Sequence, residues 1–336
     1  MSDDKNSKTV LVTGGGGFLG TALVRRLVEQ GDEVRSFSRG AYPELLKLGV
    51  DQIRGDIRDL EAVSKACMGC DVVFHVAAKV GVWGRYKDFY EVNVEGTKNI
   101  IEACQKAHVK CLIYTSSPSV IFDGFDMEGV DESVPYPESY LSHYPHTKAE
   151  AELLVKKASN KTLKTAILRP HLIWGPGDHN LVARILERAD SLKIIGKGDN
   201  LIDVLYIDNA VDAHLLLADA LAKTSDISGR AYFISQGEPV LAWQMINDIL
   251  KAGGKKKVTQ SIPYLLAYFI GGILEFIYKL FWITSEPKMT RFVATELAKS
   301  HWFNIDAAKR DFGYEPKIST QEGLIQLQRW LEEEFK

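Results

Sequence analysis

Tyr144 and Lys148, four positions apart, are the side chains in this sequence best suited to acid–base chemistry. They begin a segment with helical periodicity, predicted from about residue 145 to 157, so the two side chains share one face of a helix. A tyrosine phenol has an ordinary pKa of about 10, which is too high for proton exchange at neutral pH. A lysine ammonium one turn away favours the phenolate, and the pair therefore predicts proton transfer at a substrate oxygen.

A glycine-rich loop follows the predicted first strand, Thr9–Thr13, and precedes an amphipathic helix. Of its glycines at positions 14, 17 and 20, the first allows a tight turn and the second lets the backbone approach a pyrophosphate. The third lets the helix pack on the strand. The N-terminus of that helix then faces the anion. The loop predicts a dinucleotide cofactor held by Gly14, Gly17, Phe18, Leu19 and Gly20.

The end of the second predicted strand, Glu33–Ser38, bears on which dinucleotide is bound. NAD-binding chains usually place an acidic residue there to hold the ribose 2′-hydroxyl. This chain has Ser38 and Arg39 instead, and a guanidinium forms charge-assisted forked bonds to a phosphate. The sequence therefore favours NADP(H) over NAD(H). NAD(H) stays open, with Arg39 then an ordinary surface residue.

Short β-branched runs alternate with helical patterns over the first half of the chain, as in a parallel sheet buried on both faces. This alternation predicts an α/β fold, a Rossmann-type doubly wound parallel sheet with right-handed crossovers. We assign residues 8–176 and 200–236 to this cofactor-binding domain, and residues 177–199 and 237–336 to a smaller, mainly helical substrate domain. Further strands are predicted at 50–54, 72–76, 111–115, 165–168, 201–206 and 231–234.

One segment, residues 262–283, is predominantly apolar and aromatic. The segment is long enough to approach a bilayer span, which needs roughly 20 apolar residues, but the charges of Glu275 and Lys279 argue against spanning. On a helix these two charges pair at i and i+4 and leave a broad apolar face on the other side. Such a face can lie in a membrane interface or roof an apolar substrate channel. A buried core helix of the second domain is the alternative.

The order of these features resembles the extended branch of the short-chain dehydrogenase/reductase superfamily. The glycine loop reads G-x-x-G-x-x-G, and the fifth strand runs into Tyr114-Thr-Ser-Ser-Pro-Ser-Val120 before the Tyr144 helix. The resemblance implies that Ser117 donates a hydrogen bond to the substrate carbonyl, with Ser116 as the competing assignment. Tyr144 would supply the proton, and Lys148 would also hold the nicotinamide ribose. Residues implied to contact the cofactor or to support the lysine are Asp56, Ile57, Ala77, Ala78 and Asn93.

Within that superfamily the chain resembles the 3β-hydroxysteroid dehydrogenase family, especially its branch in bacterial olefin biosynthesis. The resemblance rests on Ala77-Ala-Lys-Val-Gly-Val-Trp-Gly84, Leu168-Arg-Pro-His-Leu-Ile-Trp-Gly-Pro-Gly-Asp178 and Arg310-Asp-Phe-Gly-Tyr314. The resemblance implies reduction of the 3-oxo group of a hydrophobic small molecule. A long-chain 2-alkyl-3-oxoalkanoate is the first candidate substrate. A 3β-hydroxysteroid or sterol-4-carboxylate is the alternative. A nucleotide-sugar epimerase or dehydratase is less favoured, because its pocket needs polar and basic residues where this chain is apolar.

The composition and the cysteine pattern bear on the partners and the cellular location of the protein. A net charge of −3 with scattered lysines and arginines argues against a nucleic-acid partner, and the one basic run, 255–257, predicts a solvated loop. Four irregularly spaced cysteines indicate a reducing compartment and buried structural thiols. Residues 1–9 lack the apolar core of a targeting peptide, which makes cytoplasmic residence the expectation. The sequence has no metal-site motif; a homodimer and peripheral membrane contact through 262–283 stay open.

Overall fold

The computed structural model describes residues 7–334. Residues 1–6 lie outside the described residues, and the expected absence of a targeting peptide rests partly on them. The strands are β1 (Thr9–Thr13), β2 (Glu33–Ser38), β3 (Asp51–Arg54), β4 (Val72–His75), β5 (Cys111–Thr115), β6 (Met127–Val130), β7 (Lys164–Pro170), β8 (Ile173–Trp174), β9 (Ile194–Ile195), β10 (Leu201–Ile202), β11 (Leu205–Tyr206), β12 (Ala231–Ile234), β13 (Val240–Leu241), β14 (Ser261–Ile262) and β15 (His301–Phe303). The helices are α1 (Phe18–Glu29), α2 (Pro43–Lys47), α3 (Leu60–Cys67), α4 (Tyr86–Tyr90), α5 (Gly96–Lys106), α6 (His143–Ala158), α7 (Leu181–Glu187), α8 (Ile207–Lys223), α9 (Ala242–Ala252), α10 (Tyr264–Leu280), α11 (Arg291–Glu296), α12 (Asp306–Phe312) and α13 (Thr320–Glu334). A π-helical turn occupies Glu91–Glu95, and 3-10 turns occupy Pro118–Ile121 and Ala189–Ser191.

Seven parallel strands form the central sheet in the order β12, β7, β5, β4, β1, β2, β3. Alternate residues of β1 pack on opposite sides: Val10 and Val12 belong to one hydrophobic core and Leu11 to the other. A strand buried on both faces explains the nearly continuous apolar runs in the sequence. The chain reverses its direction of winding between β1 and β4, where doubly wound folds bind their ligands. The predicted Rossmann-type α/β fold is confirmed.

Most strand boundaries agree with the sequence pattern to within two residues, but one predicted strand is wrong. Residues 201–206 were expected to form a single strand, and they form two that belong to different sheets. β10 pairs with β13 and β15, whereas β11 pairs with β8. Asp203 lies between them, fully buried, and its carboxylate accepts a hydrogen bond of 2.8 Å from the Phe303 amide. The sequence resembles one strand because the residues on both sides of Asp203 are apolar.

The smaller part of the molecule contains a four-stranded sheet in the order β13, β10, β15, β6. Its edge strand β6 comes from the first half of the chain and pairs in parallel with β15. The chain therefore crosses into this region earlier than the predicted range 177–199. Helices α9, α10, α11 and α13 supply much of its remaining structure, so this smaller region mixes strands and helices where a mainly helical one was predicted.

The apolar segment forms α10, which is shorter than the predicted 262–283. Its buried residues are Ala267, Gly271 and Glu275, and its large apolar side chains are exposed. The alternative of a buried core helix is therefore wrong. The predicted pairing of Glu275 with Lys279 is wrong as well, because the Glu275 carboxylate binds the Arg291 guanidinium at 2.7 Å. None of the helices within residues 7–334 is long and apolar enough to cross a membrane.

Candidate active site

The glycine loop joins β1 to α1 and tolerates no side chain at two of its positions. Gly14 has φ of +72°, and a Cβ there would lie 2.9 Å from the backbone of Ala77. A Cβ on Gly20 would lie 2.1 Å from the Gly14 carbonyl oxygen. Gly17 precedes α1, and no side chain of the described residues caps the helix N-terminus. The unpaired amides of this first turn fit the pyrophosphate of a dinucleotide, as the loop predicts.

Side chains behind the loop fix its shape. Ser38 accepts a hydrogen bond of 3.4 Å from the Gly16 amide, and the Phe37 carbonyl accepts one of 2.8 Å from the Gly14 amide. The ring of Tyr42 lies against Gly16, where a Cβ would approach it to 2.0 Å. Sequence reasoning missed Tyr42, which stands four residues beyond β2 in a segment without periodicity. Ser38 thus supports the loop as well as lying beside the predicted phosphate site.

Two arginines flank the end of β2. Arg39 is exposed, and it lines a shallow pocket together with Arg54 and Gly55. Arg54 was missed by sequence reasoning because it ends a different strand, but Ser38 and Arg54 are register partners in the parallel pair of β2 and β3. Knowledge of the register between β2 and β3 would have identified Arg54 as a candidate.

The residues expected at the adenine and at the cofactor edge follow β3 and β4. The Asp56 carboxylate binds the Arg58 guanidinium at 2.7 Å, and this hydrogen bond holds the pKa of Asp56 below its usual value. Ile57 is buried against α5. Ala77 and Ala78 are half-buried, and the Ala77 amide donates to the hydroxyl of Thr13 at 3.3 Å. All four residues follow carboxyl ends of strands, at the sheet edge that carries the glycine loop.

Tyr144 is the second residue of α6 and is half-buried. Loss of hydration raises the pKa of its hydroxyl to about 12, and a hydrogen bond from Ser117 acts in the opposite direction. The expected lowering of this pKa by Lys148 is not what the structure shows, because the Lys148 ammonium donates to the Thr115 carbonyl at 2.6 Å. Tyr144 is therefore protonated at neutral pH, which is the state of a proton donor.

Lys148 is the buried cation of the site, with only 2% of its surface exposed. Its ammonium lies 4.1 Å from the centre of the Tyr114 ring. Burial lowers the pKa of Lys148 to about 7, and the negative charge of Glu152 opposes that fall. Lys148 consequently titrates near neutral pH, and an anionic or polar group bound beside it would favour its charged form.

The two candidate serines are separated by their hydrogen bonds. Ser116 is buried, and its hydroxyl donates to the Glu152 carboxylate at 2.6 Å. Ser117 shares a hydrogen bond of 2.9 Å with the hydroxyl of Ser119 and lies beside Tyr144. The structure therefore brings Ser117, and not Ser116, to the tyrosine.

Asn93 lies in the π-helical turn that interrupts the helix before α5, an irregularity common at functional sites. Its side chain accepts from the Lys79 amide at 2.7 Å and donates to the Lys79 carbonyl at 3.0 Å. It also donates to the Thr147 hydroxyl at 3.0 Å. Asn93 thus ties the segment after β4 to α6 through Thr147, the residue before Lys148, and its expected support of Lys148, through water, stays a prediction.

A buried ion pair behind the site was not predicted. Glu152 is fully buried on α6, one turn beyond Lys148, and binds the Arg169 guanidinium of β7 at 2.6 Å. Its carboxylate also accepts from Ser116 and, at 2.7 Å, from the Tyr136 hydroxyl. Arg169 is 1% exposed, so neither charge reaches water. The spacing of Glu152 from Lys148 was the available signal, since both must share one helix face.

Within residues 7–334, neither the cysteines nor the potential metal ligands form a second site. All four cysteines are buried and free, and burial raises the pKa of the Cys70 thiol to about 11. Cys67 ends α3, so the C-x-x-C pair does not begin a helix as redox pairs do. Within residues 7–334 there is no cluster of three or more histidine, cysteine or carboxylate side chains placed for a metal ion.

Three features define an NAD(P)-dependent oxidoreductase of the short-chain dehydrogenase/reductase type. They are the doubly wound sheet, the glycine loop at an uncapped helix, and the tyrosine with a nearby serine and a buried lysine. The chain belongs to the 3-beta hydroxysteroid dehydrogenase/isomerase family, whose pattern matches residues 11–264.

Individual relatives agree with this assignment. The 2-alkyl-3-oxoalkanoate reductase of Shewanella oneidensis is 48% identical over 326 residues, which are 94% of this chain and 84% of that protein. The 2-alkyl-3-oxoalkanoate reductase of Stenotrophomonas maltophilia is 47% identical over 322 residues, 95% of this chain and 98% of that protein. The solved structure of MoeE5 in complex with UDP-glucose and NAD has a TM-score of 0.76 at 24% identity, and the match covers 98% of this chain and 100% of that one. This last likeness shows the fold.

Proposed function

We propose that this enzyme uses NADPH to reduce the 3-oxo group of a long-chain 2-alkyl-3-oxoalkanoate, giving the 3-hydroxy acid. The observation that carries the proposal is the identity of 48% and 47% to two reductases of that name over 94% and 95% of the chain. The similarity extends through the later half of the chain, where substrate contacts are expected, and is not confined to the cofactor fold. The buried free thiols agree with the reducing cytoplasm as its location.

The side chains of the site have complementary roles in this reaction. A bound nicotinamide supplies the hydride. The hydroxyl of Ser117 donates a hydrogen bond to the substrate carbonyl oxygen, which polarises the carbonyl and fixes its position. Tyr144, protonated because its pKa is about 12, gives its proton to that oxygen as negative charge develops on it. Lys148 would hold the nicotinamide ribose, and Asn93 anchors α6 through its hydrogen bond to Thr147.

A substrate panel tests the proposal. Purified enzyme with NADPH should reduce a long-chain 2-alkyl-3-oxo acid, and with NADP+ it should oxidise the more stable 2-alkyl-3-hydroxy acid. A 3β-hydroxysteroid, a sterol-4-carboxylate and a UDP-sugar serve as the other arms, read by absorbance of the reduced cofactor and by product analysis. Turnover of the sterols alone would transfer the assignment to them, and conversion of the UDP-sugar alone would make the enzyme an epimerase or dehydratase.

The preference for NADP(H) is a separate part of the proposal. Its support is the pair Arg39 and Arg54 beside Ser38, at the position where a 2′-phosphate would lie. Arg39→Asp should lower kcat/KM for NADPH by about 10- to 100-fold, because a charge-assisted bond is lost and a like charge is added. It should leave or improve the value for NADH.

The control for this experiment is Lys251→Asp, an equal charge reversal on an exposed residue of α9. Both variants are compared with the unmodified enzyme for their NADPH-to-NADH ratio of kcat/KM at one ionic strength. A ratio that Arg39→Asp leaves at the unmodified value would remove Arg39 from the cofactor site.

A further inference from the structure

Helix α10 turns its large apolar side chains toward solvent. Its inner side is narrow: Gly271 packs so closely on the backbone of Thr290 that a Cβ would lie 2.6 Å from the carbonyl carbon. The outer side and the turn after it expose Leu265 (65%), Phe269 (66%), Ile273 (60%), Phe276 (67%), Phe281 (68%) and Trp282 (84%). A continuous apolar surface of this kind, with no partner in the chain as described, marks an interaction site.

The unpaired charges of the segment 264–290 are basic. Its two acidic residues are neutralised, because Glu275 binds Arg291 and Glu286 binds Arg184 at 3.1 Å. Lys279 and Lys288 are exposed and have no ion-pair partner among residues 7–334. An apolar helix face bordered by unpaired lysines is complementary to a bilayer surface that contains anionic headgroups.

The turn after α10 holds a tryptophan in an unfavourable backbone conformation. Trp282 has φ of +54°, in the left-handed region. The Ile283 amide donates to the Tyr278 carbonyl at 2.9 Å, which makes Trp282 the residue where this helix ending normally has glycine. A bulky side chain at such a position costs conformational energy, and this one is 84% exposed. Tryptophan is enriched where apolar and aqueous phases meet.

The same end of α10 lies beside the active site. The Trp83 indole donates to the Ile283 carbonyl at 3.1 Å, and its ring contacts that of Tyr278 edge-on at 5.9 Å. Trp83 belongs to the segment after β4, which continues from the cofactor-edge residue Ala78. Burial lowers the pKa of His143, the residue before Tyr144, and the nearby charge of Lys279 lowers it further.

From these observations we propose that α10 and the turn 281–283 bind the surface of an anionic lipid bilayer, with the active-site mouth set against the lipid. A bilayer at this face receives the apolar side chains and pairs with the lysines. A second copy of the chain would instead gather four unpaired lysine ammonium groups around one apolar interface, which is unfavourable. Binding of the bilayer does not depend on the proposed substrate, although a two-tailed lipid could reach Tyr144 without crossing water.

Vesicle cosedimentation of the full chain tests the proposal. The enzyme should sediment with phosphatidylcholine vesicles and more strongly when they contain phosphatidylglycerol. Phe269→Ser combined with Phe276→Ser should weaken binding by about tenfold or more, because two exposed aromatic side chains no longer enter the interface. Met68→Ser is the control, since Met68 is 61% exposed at the end of α3, in the cofactor-binding region, and its replacement should leave binding unchanged.

Two further variants separate the contributions. Lys279→Glu combined with Lys288→Glu should remove the extra binding to phosphatidylglycerol and leave that to phosphatidylcholine. Trp282→Gly should leave the melting temperature unchanged or higher, because glycine fits the left-handed position, while vesicle binding falls. A folding defect therefore cannot be mistaken for loss of the lipid contact.

The outcomes that would overturn the proposal are distinct from failure of the proposed reaction. An enzyme that stays in the supernatant with both vesicle types, or a Phe269/Phe276 variant that sediments like the unmodified chain, contradicts lipid binding. If that variant instead converts a dimer to a monomer in analytical ultracentrifugation without altering sedimentation with vesicles, the face is a contact between copies. Reduction of detergent-dispersed substrate should be equal in the Phe269/Phe276 variant and the unmodified enzyme, and its absence from both would count against the reaction alone.

Discussion

Tyr144→Phe should abolish turnover while the enzyme still folds and binds its cofactor. The phenylalanine ring occupies the same half-buried volume, so packing is preserved and only the hydroxyl is lost. That hydroxyl is the group that gives a proton to the substrate oxygen, and general acid catalysis of this kind contributes roughly 10²- to 10⁴-fold in rate. We expect the rate constant of the reduction step to fall by at least about 100-fold, measured as single-turnover oxidation of NADPH with saturating substrate.

Tyr140→Phe is the matched control for this result. Tyr140 stands four residues earlier, and its hydroxyl donates to the Val120 carbonyl at 2.9 Å without reaching the serine of the site. Its replacement removes one hydrogen bond and should keep turnover within about threefold of the unmodified enzyme. Cofactor binding, followed by fluorescence titration, should be alike in both variants. Substantial turnover by Tyr144→Phe would refute the proposed mechanism.

The glycine loop and the sheet were predictable from the sequence because each depends on local rules. Gly14 requires a positive φ and Gly20 a close helix–strand contact, and both requirements leave a fixed spacing in the sequence. The strands β1, β2 and β5 are continuous apolar or β-branched runs because they are buried on both faces. Resemblance to a known superfamily then placed Tyr144, Lys148 and the neighbouring serine in one site.

Features that depend on register or on tertiary packing could not be predicted in this way. Arg54 reaches the cofactor end of β2 only because β3 pairs with it in a particular register. The helix of residues 264–280 was ambiguous for a related reason: its pattern shows which face is apolar, but not that the narrow face of Ala267 and Gly271 is the one that packs. The Glu275 carboxylate pairs with Arg291, 16 residues away, and not with Lys279, four residues away, because α11 packs against α10.

Glu152→Gln should be the most destabilising single change near the site. The substitution keeps the shape of the side chain but removes the only carboxylate that binds the Arg169 guanidinium within the described residues, and that cation is 1% exposed. An uncompensated buried charge of this kind costs about 3–5 kcal/mol of unfolding free energy. We expect a melting temperature roughly 10 °C lower, measured by calorimetry at neutral pH.

The pH dependence of stability gives an independent check on the same carboxylate. Burial alone would raise the pKa of Glu152, but the charge and hydrogen bonds of Arg169 outweigh it and lower the pKa to about 2. Because this value lies below that of the unfolded chain, the stabilisation is complete above about pH 4.5 and is lost as the pH falls toward 2. The melting temperature of the unmodified enzyme should therefore fall more steeply in that interval than that of Glu152→Gln.

Combining Glu152→Gln with Arg169→Met separates the contribution of the ion pair to stability from the effect of lost packing. Removing both members of the pair leaves neither of its two charges buried alone, and paired ions replaced by neutral groups of similar size often restore stability. The double variant should recover most of the lost melting temperature. It should still show a pH profile of turnover shifted to lower pH, because Lys148 loses the carboxylate that raises its pKa. A double variant no more stable than Glu152→Gln would assign the loss to packing and hydrogen bonds with Ser116 and Tyr136.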